Sequence, residues 1–357
     1  MSKQKFSRRD FVSGAVGLGL GLGLAGTGLW SIRAQDKPVP PALPGPPRRR
    51  LPNPYVENGR PVVVIIHGRD FAAMLAKGMT LLGGLRGFGP DRPVIIKPNF
   101  VFDKVSRYPA TTDEQSVLAM IGLLQREGFR NLTVADRRGK KVKGRAGGKF
   151  EWSGLNDLAE SGGFKTDSLL DDEVAEAVAV RDASWSEMKT YGVIRTIYDA
   201  GLIINMPTVK RHTHTNLTAS LKNMMGVLDV PTTENMHLWG DANKPAHDAL
   251  SPEELNRRLA RTLAEAASAV NPELTVIDAR TVLCRNHLSF EQGDPREANR
   301  LIISGDPVAA DVVAARLLKE VDESYDPGPT RETFAHAARL GLGIADPAGV
   351  VVKEASL

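Results

Sequence analysis

The chain has 357 residues, 46 basic and 42 acidic side chains, and one cysteine. The first 34 residues carry five basic and one acidic side chain, which accounts for the whole formal charge of +4. Residues 35–60 add three positive charges, so the remaining residues are net acidic. A nucleic-acid-binding protein needs a basic face, and this charge balance argues against that class. With one cysteine, the chain cannot form an intramolecular disulfide, a cysteine-ligated iron–sulfur cluster or a structural zinc site.

The N-terminus predicts export. The sequence SRRDFV at 7–12 matches the twin-arginine pattern, and a weakly apolar run rich in glycine follows over 12–30. This run is about the length of a membrane span, but its glycine content suits a twin-arginine signal better than a stop-transfer helix. We expect a signal peptide over 1–34, the twin-arginine translocase as a partner during export, and a periplasmic or otherwise extracytoplasmic location. An uncleaved N-terminal membrane anchor is the alternative.

A proline-rich linker is predicted over 35–60. Its eight prolines favour extended polyproline II and resist packing. The triplet Arg48-Arg49-Arg50 is expected either to be solvated or to lie on an anionic membrane surface. Folding is expected to begin at Pro61, with one domain over 61–357.

Short apolar strands alternate with helices through this domain. Strands are predicted at 62–66, 94–96, 132–135, 174–180, 201–206, 274–277 and 301–303. Helices are predicted at 71–82, 114–127, 156–162, 216–226, 252–270, 308–319 and 330–340, with 188–197 as a hairpin-like excursion and 230–248 irregular. This alternation predicts an α/β fold, Rossmann-like and doubly wound, with a mostly parallel sheet and helices on both faces.

Polar side chains follow the predicted strands. In a doubly wound sheet the carboxyl ends of the strands form one crevice, where ligands bind. We therefore expect a small anionic ligand to be bound there. The expected ligand-binding residues are Lys97, Asn99, Asp136, Asn205, Lys210, Asn223 and Asp306; Asp278 is expected at the same edge. The basic, glycine-rich segment 137–149 either contributes backbone amides and charge to an anion site or is a solvated loop.

The stretch 200–226 holds the candidate catalytic residues His212, His214 and Lys222. Two histidines two apart on an extended strand share a face and can bind one divalent metal, with His237 or Asp241 as a third ligand. The alternative is one histidine that hydrogen-bonds the loop and another that is solvated. A lysine in apolar surroundings is a candidate base or covalent handle, or the partner of an ordinary ion pair.

Several motifs together carry a resemblance to a known family. They are KPNF at 97–100, TTD at 111–113, VAD at 134–136, INMPTVK at 204–210 with His212, LKNMMG at 221–226, GDPVAAD at 305–311 and GLG at 341–343. In this order they resemble the family named domain of unknown function three-six-two. The resemblance implies export by the twin-arginine route. Some members carry ferredoxin-type cysteine clusters, which this chain lacks, so electron transfer through its own cluster does not carry over.

A second, local resemblance is to nickel-pincer lactate racemases. Those enzymes place a histidine before a lysine that bears the pincer cofactor, and another histidine beyond it. His212, Lys222 and His237 are spaced similarly. The pattern departs at Lys222, which stands in SLKN rather than after the glycine pair and arginine of those enzymes.

Two functions follow as hypotheses. The first is an exported enzyme, a metal-dependent isomerase or an oxidoreductase, that acts on a small anionic substrate through the histidines and Lys222. The second is a non-catalytic periplasmic protein that binds a cofactor or assists a redox partner. The chain has no Gly-x-Ser-x-Gly motif, which argues against acyl-transfer hydrolysis.

Overall fold

The structure is a computed structural model that describes residues 44–85, 87–100, 108–137, 153–169, 176–238, 243–285 and 293–357. The predicted signal peptide, Asp241 and all of the basic segment except Arg137 lie outside these ranges. Within the described ranges, no helix has both the length and the apolar character needed to cross a membrane.

The strands and helices follow the predicted alternation, with additions. The strands are β1 Val56–Glu57, β2 Arg60–His67, β3 Val94–Pro98, β4 Leu132–Ala135, β5 Lys165–Asp167, β6 Ala177–Val180, β7 Tyr191–Ile194, β8 Leu202–Met206, β9 Thr208–His212, β10 Asn216–Thr218, β11 Leu274–Cys284, β12 Asp294–Ser304 and β13 Val351–Ser356. The helices are α1 Phe71–Leu82, α2 Glu114–Arg126, α3 Leu155–Gly162, α4 Arg195–Tyr198, α5 Ser220–Asn223, α6 Val230–His237, α7 Lys244–Ala249, α8 Pro252–Val270, α9 Pro307–Val321 and α10 Gly328–Arg339. Short 3-10 helices lie at Met224–Val227 and Pro347–Gly349.

Local capping explains why the long helices begin where the sequence predicts. Ser251 and Glu254 form a capping box at the start of α8, with Pro252 in the first turn. Asp70 accepts the Ala73 amide at the start of α1, and Gly83 ends that helix in the left-handed region, at φ 113°. These signals are contained in a few neighbouring residues, so sequence alone locates them.

The central sheet is mostly parallel, which confirms the predicted fold class. Its strand order is β1-β2-β12-β11-β8-β3-β4-β5, with β13 beside β2 and β9 beside β11. β3 pairs in parallel with β4 and β8, β8 with β11, and β4 with β5. β12 is antiparallel to both β11 and β2. The carboxyl ends of β3, β4 and β8 therefore share one edge, whereas the end of β12 lies at the opposite edge.

Both faces of the sheet are buried under helices. Alternate side chains of each strand enter different cores: Ile95 and Ile203 pack with α8, α9 and α10, while Ile96 and Ile204 pack with α1 and α2. This is the arrangement expected for a doubly wound sheet. β6 and β7 form a separate two-stranded antiparallel sheet.

Four strands, β9, β10, β11 and β13, differ from the predicted pattern. The chain leaves β8 at Pro207 and continues at once as β9, because β11 provides a new partner on one side. β9 then turns back as β10, where a helix had been expected from residue 216. β11 does not end at Asp278 but runs on to Cys284 as one arm of a long hairpin with β12. The C-terminal β13, not predicted, pairs in parallel with β2.

The described part of the proline-rich segment, residues 44–60, packs on the domain rather than forming a solvated tether. The Arg48 guanidinium is buried 3.0 Å from the carboxylate of Glu273. It also donates to the carbonyls of Ala200 and Asn271 at 2.8 and 3.0 Å. Arg50 donates to the carbonyls of Gly305 and Leu342. Arginine can satisfy several buried carbonyl and carboxylate oxygens at once, so Arg48 and Arg50 anchor the segment.

Replacing Arg48 by Met is expected to lower the free energy of unfolding by about 3 kcal/mol, because Glu273 would be left as a buried carboxylate without its cation. Denaturant unfolding of the variant measures this loss. The neighbouring Arg49 is exposed, and Arg49→Met should change stability by less than about 0.5 kcal/mol. Equal, small effects of the two substitutions would contradict the anchoring role.

Candidate functional site

A buried ion pair lies at the carboxyl ends of β3 and β4. Lys97 Nζ is 2.8 Å from Asp136 Oδ1, and both side chains are almost fully enclosed. The backbone amides of Phe100 and Arg137 donate to the same carboxylate at 2.6 and 2.7 Å. Burial lowers the pKa of Lys97 and raises the pKa of Asp136, while their mutual attraction opposes both shifts. The pair is thus a buried, hydrogen-bonded charge pair at the edge of the sheet where the sequence predicts the crevice.

Three amide and hydroxyl side chains extend this network across the sheet edge. Asn223 accepts from Lys97 Nζ at 3.2 Å and donates to Asn205 Oδ1 at 2.7 Å. Asn205 in turn donates to the carbonyl and the hydroxyl of Ser220, at 3.0 and 2.9 Å. Strand β8 and helix α5 are therefore joined to Lys97 by side chains whose positions fix one another.

Lys210, on β9, is a second buried lysine. It is 1% exposed, and its ammonium donates to the Ala110 carbonyl at 2.7 Å. Burial, and secondly the positive charge of Lys222, lowers the pKa of Lys210 to about 7; Asp136 acts in the opposite direction, and Lys97 contributes a smaller lowering. Lys210 is therefore divided between its charged and neutral forms near neutral pH.

Lys222 projects from the short helix α5 and is half-buried. Desolvation, followed by the charge of Arg137, lowers its pKa to about 8. Its ammonium lies 3.8 Å from the Met225 sulfur, and among the described residues no carboxylate lies within ion-pair distance of it. The ordinary ion pair considered for this lysine is therefore not formed within the described part of the chain.

Of the five buried side-chain polar atoms that lack a hydrogen-bond partner in the described residues, three lie on or beside the strands that carry Lys97 and Lys210; the other two are Arg50 Nε and Arg258 Nε. The three are Thr208 Oγ1, Thr218 Oγ1 and Asn99 Oδ1. Thr208 precedes Lys210 by two residues on β9, and Thr218 lies opposite Lys210 in the β9–β10 register. Side chains two apart on a strand, or opposite one another across a pair, share a face. Buried polar atoms are normally satisfied, so their grouping here suits a polar ligand.

Within the described residues, His212, His214 and His237 are not grouped as ligands of one metal ion, and the alternative third ligand, Asp241, lies outside them. His212 Nδ1 accepts from the amides of His214 and Thr215 at 3.0 and 3.1 Å, so neutral His212 carries its proton on Nε2. His214 lies in the following turn and is exposed. His237 Nδ1 donates to the Thr233 carbonyl at 2.8 Å, and burial lowers its pKa to about 4. Across the described ranges, no three His, Cys, Asp or Glu side chains are grouped as metal ligands.

Two predicted carboxylates serve other purposes. Asp306 lies at the opposite edge of the sheet, because the strand before it, β12, runs antiparallel to β11. It caps α9 by accepting from Val308 and Ala309 at 2.9 and 2.8 Å. Asp278 lies opposite Thr208, but its oxygens accept from Arg280 at 2.8 and 3.0 Å. Neither carboxylate joins the lysine network.

Three further residues build the site: sequence reasoning missed Asp311 and Gly226, whereas Arg137 is the first residue of the predicted basic segment. Asp311, on α9, accepts the amides of Ser220 and Leu221 and so holds the start of α5; burial raises its pKa to about 7. Gly226 packs against the Lys97–Asp136 pair, where a side chain would not fit. Arg137 adds positive charge next to Asp136. Asp311 and Gly226 stand in the quoted GDPVAAD and LKNMMG motifs, which was the only available signal.

Two surface cavities lie away from this network. One, of about 360 Å³, is lined by residues of the β11–β12 hairpin and the end of α9, among them Arg285, Arg296 and Asp322. The other, of about 260 Å³, lies beside β6 and β7 and includes Gly192 and Asp229. Neither of these two cavities is lined by the buried lysines. A cavity without reactive groups indicates no reaction, so the lysine cluster is the candidate site.

Comparison with known proteins places these motifs in a family. A family model described as "Domain of unknown function (DUF362)" matches residues 94–316. A protein of Synechocystis sp. named as thylakoid-associated is 27% identical over 278 residues, covering 76% of this chain and 77% of that protein. The lactate racemase apoprotein from Thermoanaerobacterium thermosaccharolyticum is similar in structure at a TM-score of 0.46 and 10% identity, over 76% of this chain and 60% of that one.

Gly226→Ala should disturb the ion pair directly. The added Cβ would lie 2.7 Å from Asp136 Oδ1 and 3.0 Å from Lys97 Nζ. Because both groups are buried and hydrogen-bonded, we expect a loss of about 1–3 kcal/mol in the free energy of unfolding. Gly122→Ala, within α2, brings its Cβ no closer than 3.4 Å to another residue and should stabilise by about 0.5–1 kcal/mol. Thermal or denaturant unfolding compares the two, and a tolerated Gly226→Ala would contradict the tight packing.

Proposed function

The chain belongs to the family described as "Domain of unknown function (DUF362)", and we propose that it is an exported enzyme acting on a small anionic substrate in the crevice formed by β3, β4, β8 and β9. The observation that carries the proposal is the buried Lys210, whose pKa of about 7 is set by burial beside two other lysines. The family description assigns no activity, so the proposal rests on the site.

The charges of the crevice favour an anion. Lys97, Lys210, Lys222 and Arg137 act on one another electrostatically, and the one carboxylate recorded among them in the described residues, Asp136, is in contact with the Lys97 ammonium. Bringing positive charges together away from water is unfavourable, and a bound carboxylate, sulfate or phosphate would offset that repulsion. The unpartnered hydroxyls of Thr208 and Thr218 add hydrogen-bonding capacity on the same face as Lys210.

Lys210 supplies the proton chemistry in this proposal. A general acid–base group works best when its pKa lies near the working pH, and a lysine reaches that range only when it is desolvated or near other cations. The neutral amine would remove a proton from a carbon or hydroxyl of the bound anion, and the ammonium would return it. Lys222 and Arg137 would hold the anionic group. Isomerisation, or redox chemistry that begins with proton transfer, fits these roles.

This assignment changes the roles predicted for the histidines. In neutral His212 the proton lies on Nε2, which makes that atom a hydrogen-bond donor rather than a metal ligand. His237 is held neutral by burial and fixed through Nδ1, so its Nε2 is an acceptor. The donor set of His212, His214 and His237 does not fit a shared metal ion, and no step is assigned to a metal.

A non-catalytic anion-binding protein is the second candidate, because the same positive charges favour binding whether or not a proton is transferred. Incubation in heavy water with a panel of small hydroxy, amino and phosphorylated acids separates the two. Under the enzyme proposal, at least one compound exchanges a carbon-bound proton with wild-type protein and not with Lys210→Met, as observed by NMR. Binding without exchange would favour the second candidate.

Sulfate should stabilise the protein in a pH-dependent way. It keeps its charge between pH 6 and 9, whereas Lys210 and Lys222 lose protons as the pH rises through about 7 and about 8. The increase in Tm caused by sulfate, relative to chloride at equal ionic strength, should therefore be largest near pH 6 and fall towards pH 9. Lys210→Met and Lys222→Met should each lose most of this increase, whereas Lys77→Met, at an exposed position, should keep it.

The stability of Lys210→Met gives an independent check on the same prediction. A lysine whose pKa is lower in the folded than in the unfolded state destabilises the fold at low pH, and the effect disappears once the unfolded lysine also loses its proton. Without sulfate, the variant should therefore be more stable than wild type by about 1–2 kcal/mol at pH 6–7. That difference should shrink above pH 10. An uncharged Lys210→Met that binds sulfate like wild type would exclude the proposed anion site.

Export is proposed from the twin-arginine pattern and the glycine-rich run that follows it. Replacing both Arg8 and Arg9 by Lys keeps the charge but removes the guanidinium pair. We expect the variant to accumulate in the cytoplasm, while wild type reaches the extracytoplasmic fraction. Cell fractionation with immunodetection measures this, and Lys3→Arg with Lys5→Arg is the matched control. Equal distribution of both forms would contradict export by this route.

A further inference from the structure

We infer that Asp311 is the positioning residue of the crevice: from α9 it holds helix α5 in place and thereby sets the environment of Lys222. The inference rests on the proposed function of the crevice, in which Lys222 holds the anionic group. No role in binding or catalysis is assigned to Asp311 itself.

The contact between Asp311 and α5 is a capping interaction supplied from a distant part of the chain. Asp311 is 2% exposed, Oδ1 accepts from the Ser220 amide at 2.6 Å, and Oδ2 accepts from the Leu221 amide at 2.9 Å. The residue before the helix, Ala219, offers no side-chain cap. The first amides of any helix lack partners within it, and a carboxylate there both accepts hydrogen bonds and matches the helix dipole.

Helix α5 has only four residues and needs such support. An isolated helix of this length does not form in water, because its few internal hydrogen bonds do not offset the lost conformational entropy. Asp311 fixes its first residues, and Asn205 binds both the carbonyl and the hydroxyl of Ser220. The Ser220 hydroxyl also lies 2.9 Å from Thr275 Oγ1, on β11. The start of α5 is thus tied to α9, β8 and β11 at once.

The end of α5 carries the groups that face the crevice. Asn223 contacts Lys97 and Asn205, and Lys222 comes immediately before it. The pKa of Lys222 is low mainly because the helix holds its ammonium away from water, and secondly because Arg137 is near. Moving α5 by a fraction of an ångström would therefore change both the hydration of Lys222 and the contact of Asn223 with Lys97.

The substitution Asp311→Asn tests this inference with little change in shape. Asparagine keeps one acceptor but places an NH₂ group against the second amide, so the two-point contact is lost. We expect the pKa of Lys222 to rise by about one pH unit or more as the lysine gains water. The measurement is the pH dependence of acetylation by acetic anhydride on the folded, full-length protein, followed for the Lys222 peptide by mass spectrometry.

Asp306→Asn is the matched control. Asp306 is also a buried carboxylate, and it caps the start of the same helix, α9, through two backbone amides, but at the opposite sheet edge. Its substitution should lower Tm while the acetylation profile of Lys222 stays as in wild type. If Asp311→Asn likewise lowers Tm with an unchanged Lys222 profile, Asp311 is an ordinary structural cap and the inference is wrong.

Two further measurements keep the outcomes distinct. If Asp311→Asn does not fold, Asp311→Glu is the alternative, because it retains the carboxylate and pushes α5 outward by one methylene. It should shift the pH dependence of Lys222 acetylation in the same direction. An unchanged pH dependence would overturn the inference. Sulfate should protect Lys222 from acetylation in wild type and less in Asp311→Asn. Absence of protection in wild type, with the Lys222 profile still altered in Asp311→Asn, would reject the anion site while leaving the positioning contact intact.

Discussion

The buried ion pair of Lys97 and Asp136 is the interaction around which the crevice is built. Removing two charges from water costs several kcal/mol per ion, and the cost is recovered only with close geometry and additional hydrogen bonds. Here the Phe100 and Arg137 amides supply those hydrogen bonds to the carboxylate, and Asn223 supplies one to the ammonium. The parallel register of β3 with β4 brings the two strand ends side by side.

Other features of the site follow from this pair. In a low-dielectric interior, each donor and acceptor of a polar network needs a hydrogen-bond partner. This requirement explains the chain of contacts through Asn223, Asn205 and Ser220. Gly226 is required because the ion pair occupies the space that a side chain would need. Lys210 and Lys222 are exceptions: burial lowers the pKa of both, so keeping them charged in the folded protein opposes stability at neutral pH. A chain that retains such groups against stability is expected to use them, and this is the main support for a functional crevice.

The sequence predicted those parts of the fold that depend on neighbouring residues. Helices α1, α2 and α8 begin within a residue of their predicted starts, because caps and apolar spacing lie within a few positions. Prediction from the sequence was wrong where the structure of a segment depends on a distant part of the chain that packs against it. Pro207 does interrupt the strand, but β11 accepts the chain again as β9. Arg48 lies in a segment predicted to be a solvated linker, but it forms an ion pair with Glu273 and hydrogen bonds with two carbonyls, all more than 150 residues away in the sequence.

The residues of the candidate site also differ in whether neighbouring residues or distant parts of the chain determine their positions. The sequence predicts Lys97, Asn99, Asp136, Asn205 and Lys210 at one edge because parallel strands end together. Asn223 reaches that edge because the chain returns there after the β9–β10 hairpin, which the sequence did not predict. Asp306 was misplaced because nothing in its own neighbourhood shows that β12 runs antiparallel. Asp311 lies five residues further along the same motif and does reach the site, through the body of α9. Strand direction and helix length, rather than the motif itself, therefore decide which of two similar carboxylates supports the crevice and which caps a helix at the other edge.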